Sequence, residues 1–191
     1  RSGGASAGVD GPFLVFEQEE GRSFDLVALR NGRADVLAGA DLPPGRYTQV
    51  RLIVSGGEVR LRDGRLFPFR SSSGEEAGVR VECDFQVRAG CETAMLLDVD
   101  LSRAFSPVPA GAVTDPGQIR EFRFSPAAAM RLVELDATGS LSGTVRDANG
   151  FPIPDVAVTA YSNGVDVTSG ATEGDGTFLL IGLPAGEYAL E

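Results

Sequence analysis

Apolar and polar residues alternate along most of the chain, which is typical of short β-strands rather than of helices. The alternation is clearest where Val79, Val81, Cys83, Phe85 and Val87 are separated by charged or polar residues. Turn residues follow at short intervals, and no run keeps a period of 3.6 residues for long. The pattern predicts an all-β fold with no helix longer than a turn or two.

Asn-Gly and Asp-Gly pairs between alternating runs predict two β-hairpins in the first half of the chain. The pairs are Asn31-Gly32 and Asp63-Gly64. The strands expected to flank them are Ser23–Leu29 with Ala34–Ala38, and Glu58–Arg62 with Arg65–Arg70.

A third hairpin is predicted around the loop Arg88-Ala89-Gly90. Pairing Val87 with Cys91 and Phe85 with Thr93 places both apolar sets on one face of the sheet. In that register Cys83 lies four strand steps from Cys91, on the order of 13 Å, which exceeds the reach of a disulfide. We therefore expect the two cysteines not to be bonded to each other.

The remaining strands are predicted from short apolar runs bounded by turn residues. A motif L-P-x-G-x-Y occurs twice, at Leu42–Tyr47 and Leu183–Tyr188, and each copy is expected to introduce a strand. Residues Leu101–Gln118 are predicted to be a long loop. The other predicted strands are Tyr47–Val54, Ile119–Phe124, Met130–Leu135, Leu141–Arg146, Val156–Tyr161, Val165–Thr172, Thr177–Ile181 and Glu187–Leu190.

A short polar stretch at Asp136–Ser140 indicates a boundary between two consecutive β-sandwich or barrel-like domains. The predicted division is a flexible lead over 1–11, a β-domain over 12–135, a linker over 136–140 and a second β-sandwich over 141–191.

The second domain resembles a carboxypeptidase regulatory-like domain. The resemblance rests on Gly143–Asp147, Asn149-Gly150, Pro152–Pro154, Val156–Val158, Thr172, Asp175–Phe178 and Leu183–Tyr188. It implies a transthyretin-like Greek-key sandwich that serves exported proteins as a non-catalytic module and is grouped with carbohydrate-binding-like folds. Members normally continue past the tyrosine strand, so we expect this chain to be shorter than its natural folding unit there.

The first domain resembles domain of unknown function 4382, which is common in bacterial envelope lipoproteins. The matching residues are Phe24–Leu29, Leu42–Val54, Phe67–Ser73, Gly78–Arg80 and Leu97–Leu101. The resemblance implies an exported protein that is periplasmic, outer-membrane-anchored or extracellular, with room for a lipid anchor upstream. Members usually have further strands before this point, so we also expect the folding unit to be shortened at its start.

Composition excludes several classes of function. A formal charge of −10 repels phosphate backbones, which argues against nucleic-acid binding. The chain has no histidine and no lysine, so it offers neither an imidazole base nor a Schiff-base amine. No apolar run approaches the roughly 20 residues of a membrane helix. We predict a protein that is not an enzyme, uses no cofactor and does not insert this segment into a membrane.

Asp98 and Asp100 are the weak candidates for a metal site, since residues two apart on a strand point to the same side. Calcium requires six to eight oxygen ligands, and a solvated face explains two carboxylates as well. The predicted function is a structural spacer or interaction domain of the cell envelope or extracellular space. A carbohydrate-binding module is the alternative, and the partner is an unidentified protein or glycan.

Overall fold

The computed structural model describes residues 22–70, 78–111, 115–126 and 129–191. These residues form mainly antiparallel strands, which confirms the all-β prediction, and none of their sheets closes into a barrel. The strands are β1 Gly45–Leu52, β2 Gly56–Arg60, β3 Leu66–Arg70, β4 Val79–Val87, β5 Met95–Val99, β6 Phe105–Val108, β7 Glu121–Phe124, β8 Met130–Glu134, β9 Thr138–Thr144, β10 Ala157–Ser162, β11 Val165–Ala171, β12 Thr177–Pro184 and β13 Ala189–Leu190. Helical turns occur at α1 Leu101–Ala104 and as 3₁₀ turns at Pro116–Gln118 and Leu135–Ala137.

The described residues of the N-terminal part, which spans 22–134, form two-stranded antiparallel pairs. Strand β1 pairs with β4, β2 with β3, β5 with β8, and β6 with β7. A buried cluster forms around Ala104, Phe124 and Ala129, and Phe69 and Phe105 pack against it. Ring centroids of Phe69 lie 4.9 Å from those of both Phe105 and Phe124, so an aromatic group joins β3 to the β6–β7 pair.

The predicted hairpin between β4 and β5 is wrong. Strand β4 pairs instead with β1, placing Phe85 opposite Tyr47, and the two rings stack with centroids 5.4 Å apart. The turn at Gly90 does form, but β5 begins only at Met95 and pairs with β8. Apolar residues on one side of each of two strands allow both strands to pack on the same core. They do not determine that the two strands pair with each other by hydrogen bonds.

The Asn31-Gly32 turn forms, with φ of 54° and 76°, but the predicted strands on either side of it are wrong. Residues 22–44 contain no strand. The Asp25 carboxylate accepts hydrogen bonds from the backbone N–H groups of Val27 at 3.1 Å and Ala28 at 3.2 Å, which bends the chain locally. The alternation of apolar and polar residues over Ser23–Leu29 therefore does not produce a strand, because the hydrogen bonds to Asp25 form a turn there.

The Asp63-Gly64 hairpin is confirmed, with Arg60 opposite Leu66 as the strand pair next to the turn. The predicted loop over Leu101–Gln118 is wrong in its first part, because α1 and β6 lie there. Asp100 caps α1, and β6 pairs with β7 although it contains Pro107. Proline is tolerated in a strand whose N–H is not needed by a neighbour, so Pro107 does not prevent β6 from forming.

The C-terminal part, residues 138–191, is a sandwich of two sheets. One sheet has the order β11-β10-β13, and the other consists of β12 and β9. All five strands predicted here overlap a strand of the structure. The core between the sheets joins Val158 and Ala160 of β10 to Phe178, Leu180 and Leu183 of β12.

The stretch predicted as a linker, 136–140, contains the end of a 3₁₀ turn and the start of β9. Thr138 and Gly139 already pair with Pro184 and Leu183 of β12. These residues are thus part of the second sandwich, while the division of the whole chain into domains stays a prediction.

Both copies of the L-P-x-G-x-Y motif form the same corner. The Tyr47 hydroxyl donates to the backbone carbonyl of Pro43 at 2.9 Å, and the Tyr188 hydroxyl donates to that of Pro184 at 2.7 Å. Each tyrosine thereby holds the turn four residues before it and leads into a strand, as predicted.

Candidate functional site

Asp98 lies where the two parts of the chain meet. Its Oδ2 atom accepts a hydrogen bond from Arg131 Nε at 3.0 Å and another from Thr168 Oγ1 at 2.8 Å. Arg131 is the residue directly opposite Asp98 on β8, whereas Thr168 lies on β11 of the C-terminal part. The side chains of Asp98 and Arg131 are only 30% and 22% exposed. Asp98 therefore serves as a bridge between the two parts.

Arg131 extends this bridge to β12. Its Nη1 atom donates to the Gly182 carbonyl at 2.7 Å, and Nη2 lies 3.4 Å from the Ile181 carbonyl. Gly182 has φ of +71°, and a Cβ there would come within 2.6 Å of Leu96, so the close approach requires glycine. An arginine among the apolar residues Met130, Leu132 and Val133 of β8 was the sequence signal for this contact, and it was missed.

Asp100 does not join Asp98. Strand β5 ends at Val99, and the Asp100 carboxylate caps α1 by accepting from Ser102 N at 2.9 Å and from Ser102 Oγ at 2.6 Å. Among the residues that the structure describes, no three metal-ligating side chains gather at one point. The two carboxylates named as weak metal candidates thus have separate protein partners, and Asp98 in particular is held by an arginine.

Asn31 makes the second contact between the two parts. Its Nδ2 group donates to the Ala171 carbonyl at 2.9 Å and to Glu173 Oε1 at 2.8 Å, while its Oδ1 atom accepts from Leu179 N at 3.3 Å. The side-chain amide therefore joins the end of β11 to β12. Sequence reasoning recognised the turn but had no signal for what its side chain contacts.

Ion pairs surround these hydrogen bonds. Arg30 and Arg33 approach Glu173 at 3.9 and 3.7 Å, and Arg103 contacts Asp166 at 2.8 Å. Arg30 and Arg62 both lie within 4 Å of the carboxylate of Asp155, at 3.8 and 3.7 Å. In every pair the arginine belongs to the N-terminal part and the acid to the C-terminal part. Such exposed pairs contribute little individually, but their charges are complementary across the junction.

The two cysteines differ in their surroundings. Cys83 is half-buried on β4, and its burial, together with the nearby charges of Glu82 and Asp84, raises the pKa of the thiol. Both cysteines are free, as predicted, although the hairpin register behind that prediction is wrong. The reactive thiolate is disfavoured at Cys83, and Cys91 lies exposed in a loop.

Asp175 belongs to the turn between β11 and β12. Its carboxylate accepts from Thr177 Oγ1 at 2.6 Å and from Thr177 N at 3.0 Å, and these hydrogen bonds lower the pKa of Asp175. The sequence predicts a polar loop that includes the serines at 71–73, and residues 71–77 lie outside the described residues.

An open cleft of about 460 Å³ lies at the start of β9. It is lined by residues 136–141, 183–186 and Tyr188, with Asp136 and Ser140 among the first group. Tyr188 is its aromatic side chain, and the hydroxyl of that residue is already bonded to Pro184. The cleft thus offers one ring face and few free polar groups.

Comparison with known proteins identifies both parts. The family model described as Domain of unknown function (DUF4382) matches residues 4–119, and the model described as Carboxypeptidase regulatory-like domain matches residues 140–191. Both resemblances expected from the sequence are confirmed, in the expected order. No curated protein matches the chain, and no solved structure matches it. The chain therefore belongs to the Domain of unknown function (DUF4382) family, and a carboxypeptidase regulatory-like domain follows in the same chain.

Proposed function

We propose that the chain is a non-enzymatic β-module of the cell envelope or extracellular space, where it serves as a rigid spacer or interaction domain. The observation that carries this proposal is the bonded junction between its two parts. Asp98 and Arg131 link β5 and β8 to β11 and β12, and Asn31 links the N-terminal turn to the same two strands. A spacer holds its two ends at a defined distance only if its parts keep a fixed orientation relative to each other. The hydrogen bonds of this junction favour such a fixed orientation.

The partly buried hydrogen bonds at the junction favour a rigid arrangement of the two parts. Inter-domain contacts made only by exposed ion pairs weaken as salt screens them. Here the partly buried hydrogen bonds of Asp98, Arg131 and Asn31 add contacts that salt screens less. Among the described residues no helix is long and apolar enough to cross a membrane. The envelope location rests on the resemblance of the first domain to those of bacterial lipoproteins.

A distance measurement between spin labels tests the rigid junction. One label goes on the native Cys91 in a Cys83→Ser background, and the other on Asn149→Cys in an exposed turn of the second domain. We expect a single narrow distance distribution in low salt and in high salt. A broad distribution in both would refute the spacer proposal. Immunoblotting of fractionated source cells tests location, and recovery in the cytoplasmic fraction would contradict it.

The cleft at Tyr188 supports the alternative of a carbohydrate-binding module, because one aromatic face beside Asp136 and Ser140 is a minimal sugar platform. A glycan array probed with the purified chain distinguishes the two functions. Binding of a defined glycan that is lost in Tyr188→Ala but kept in Tyr47→Ala would favour the carbohydrate-binding function. We expect no glycan on the array to be bound, since the protein supplies one ring at this cleft and no tryptophan.

A further inference from the structure

Among the described residues, strand β12 has an edge that its own sheet leaves unpaired. On one side β12 pairs with β9, and the described part of its sheet consists of these two strands. On the other side it is tied to the end of β11 by the turn at 173–177, where Glu173 N donates to the Thr177 carbonyl at 2.8 Å. Beyond that turn β11 and β12 belong to different sheets. The backbone groups of β12 that face away from β9 must find partners elsewhere or accept another strand.

The first half of β12 gives this edge no protection of its own. Thr177–Pro184 reads TFLLIGLP and contains no charged residue, and its proline and its register shift both lie after Leu180. Natural sheets guard exposed edges with charges, with proline inside the strand, or by covering them. An uncharged apolar strand of this kind is also typical of segments that associate edge to edge when exposed.

Two described side chains of the first domain, those of Asn31 and Arg131, cover this edge. The Asn31 amide lies between β11 and β12, accepting from Leu179 N and donating to the Ala171 carbonyl, as a peptide group of an inserted strand would. Arg131 then donates to the carbonyls of Ile181 and Gly182. The fit is close, because a Cβ on Gly32 would come within 2.5 Å of the Leu179 side chain.

We infer that the Asn31-Gly32 turn and Arg131 act as an intramolecular cap that prevents β12 from pairing with β12 of a second copy of this chain. Two identical edges can pair antiparallel about a twofold axis, which makes a second copy a self-complementary occupant. The apolar, uncharged sequence of β12 favours that occupant over a charged ligand. The interaction surface is thus present in the chain but covered by its own first domain.

The test is the double variant Asn31→Gly with Arg131→Gln. Asn31 has φ of 54°, and glycine keeps that turn conformation while it deletes the amide. Asn163→Gly is the matched control, because Asn163 has φ of 52° in a second Asn-Gly turn and makes no side-chain hydrogen bond within the described chain. Circular dichroism first establishes that each variant keeps its strand content.

Two measurements decide the outcome. In dilute double variant we expect hydrogen exchange of the Leu179 amide to accelerate about tenfold or more, since one bond of about 1.4 kcal/mol corresponds to a factor of ten. At higher concentration we expect light scattering to give about twice the monomer mass, while Asn163→Gly stays monomeric. Unchanged exchange at Leu179, or a double variant that stays monomeric at all concentrations, would overturn the inference.

A third variant shows whether the association uses β12. Adding Leu179→Lys to the double variant places a charge on the proposed pairing strand, and lysine on an edge strand discourages pairing. We expect this triple variant to return to the monomer mass. Association that persists in the triple variant would show that another surface is responsible and would refute the proposed site.

Discussion

Asp98→Ala tests whether this carboxylate is a bridge between the two parts or a metal ligand. The substitution removes the acceptor for Arg131 Nε and for the Thr168 hydroxyl together. It leaves a guanidinium that is only 22% exposed without its carboxylate, although the carbonyls of Gly182 and Ile181 still accept from it. We therefore expect a clear loss of stability.

The size of the loss follows from the exposure of the pair. Hydrogen bonds to charged groups contribute about 1.5–3 kcal/mol, and partial solvent access places this site near about 2 kcal/mol. For a chain of this length that corresponds to a fall in Tm of about 4–8 °C. Differential scanning calorimetry measures it. The loss should be smaller in a Thr168→Val background, because one of the two hydrogen bonds is already absent there.

Asp84→Ala is the matched control. Asp84 also pairs with an arginine, at 2.7 Å from Arg46, but their side chains are 62% and 69% exposed. Exposed pairs contribute little to stability, so Tm should change much less than in Asp98→Ala. Equal shifts in the two variants would refute the bridging role. A rise in the Tm of the native chain with millimolar calcium, absent in Asp98→Ala, would instead indicate that Asp98 binds a metal ion.

Three further predictions concern the corners, the turns and the thiols. Tyr188→Phe deletes the hydroxyl that donates to the Pro184 carbonyl at 2.7 Å, so the free energy of unfolding measured in urea should fall by about 1 kcal/mol. An unchanged free energy of unfolding would mean that this hydrogen bond adds nothing to stability. Gly176→Ala should lower the Tm more than Gly164→Ala. Both glycines have positive φ, but only at Gly176 would the added Cβ meet the Val145 carbonyl, at 2.5 Å, so equal Tm shifts would contradict this prediction. Iodoacetamide should label Cys91 before Cys83 at neutral pH, because burial raises the pKa of the Cys83 thiol and labelling of Cys83 should increase only at higher pH. Equal labelling rates of the two cysteines, measured by mass spectrometry, would refute this prediction.

The sequence alone determined the elements whose causes are local. The Asp63-Gly64 and Asn163-Gly164 pairs each close a turn within a few residues, with positive φ at Gly64, Asn163 and Gly164, and the strands beside these two turns were found where predicted. The two L-P-x-G-x-Y corners are local for the same reason, because each tyrosine hydroxyl bonds only four residues back. Composition was equally informative, since a chain without histidine or lysine has few routes to catalysis.

Only the tertiary structure decided which strands and side chains meet across long stretches of chain. The alternation of apolar and polar residues predicts an apolar face on β4. Strands β1 and β5 both have apolar residues that could lie beside that face, and the structure pairs β4 with β1. Asn31 bonds to residues 140 and 148 positions away, and Asp98 to Thr168 at 70 positions. The physical reason is that an amide or a carboxylate can satisfy its hydrogen bonds with any suitable partner, and packing of the two cores chooses which partner comes within reach.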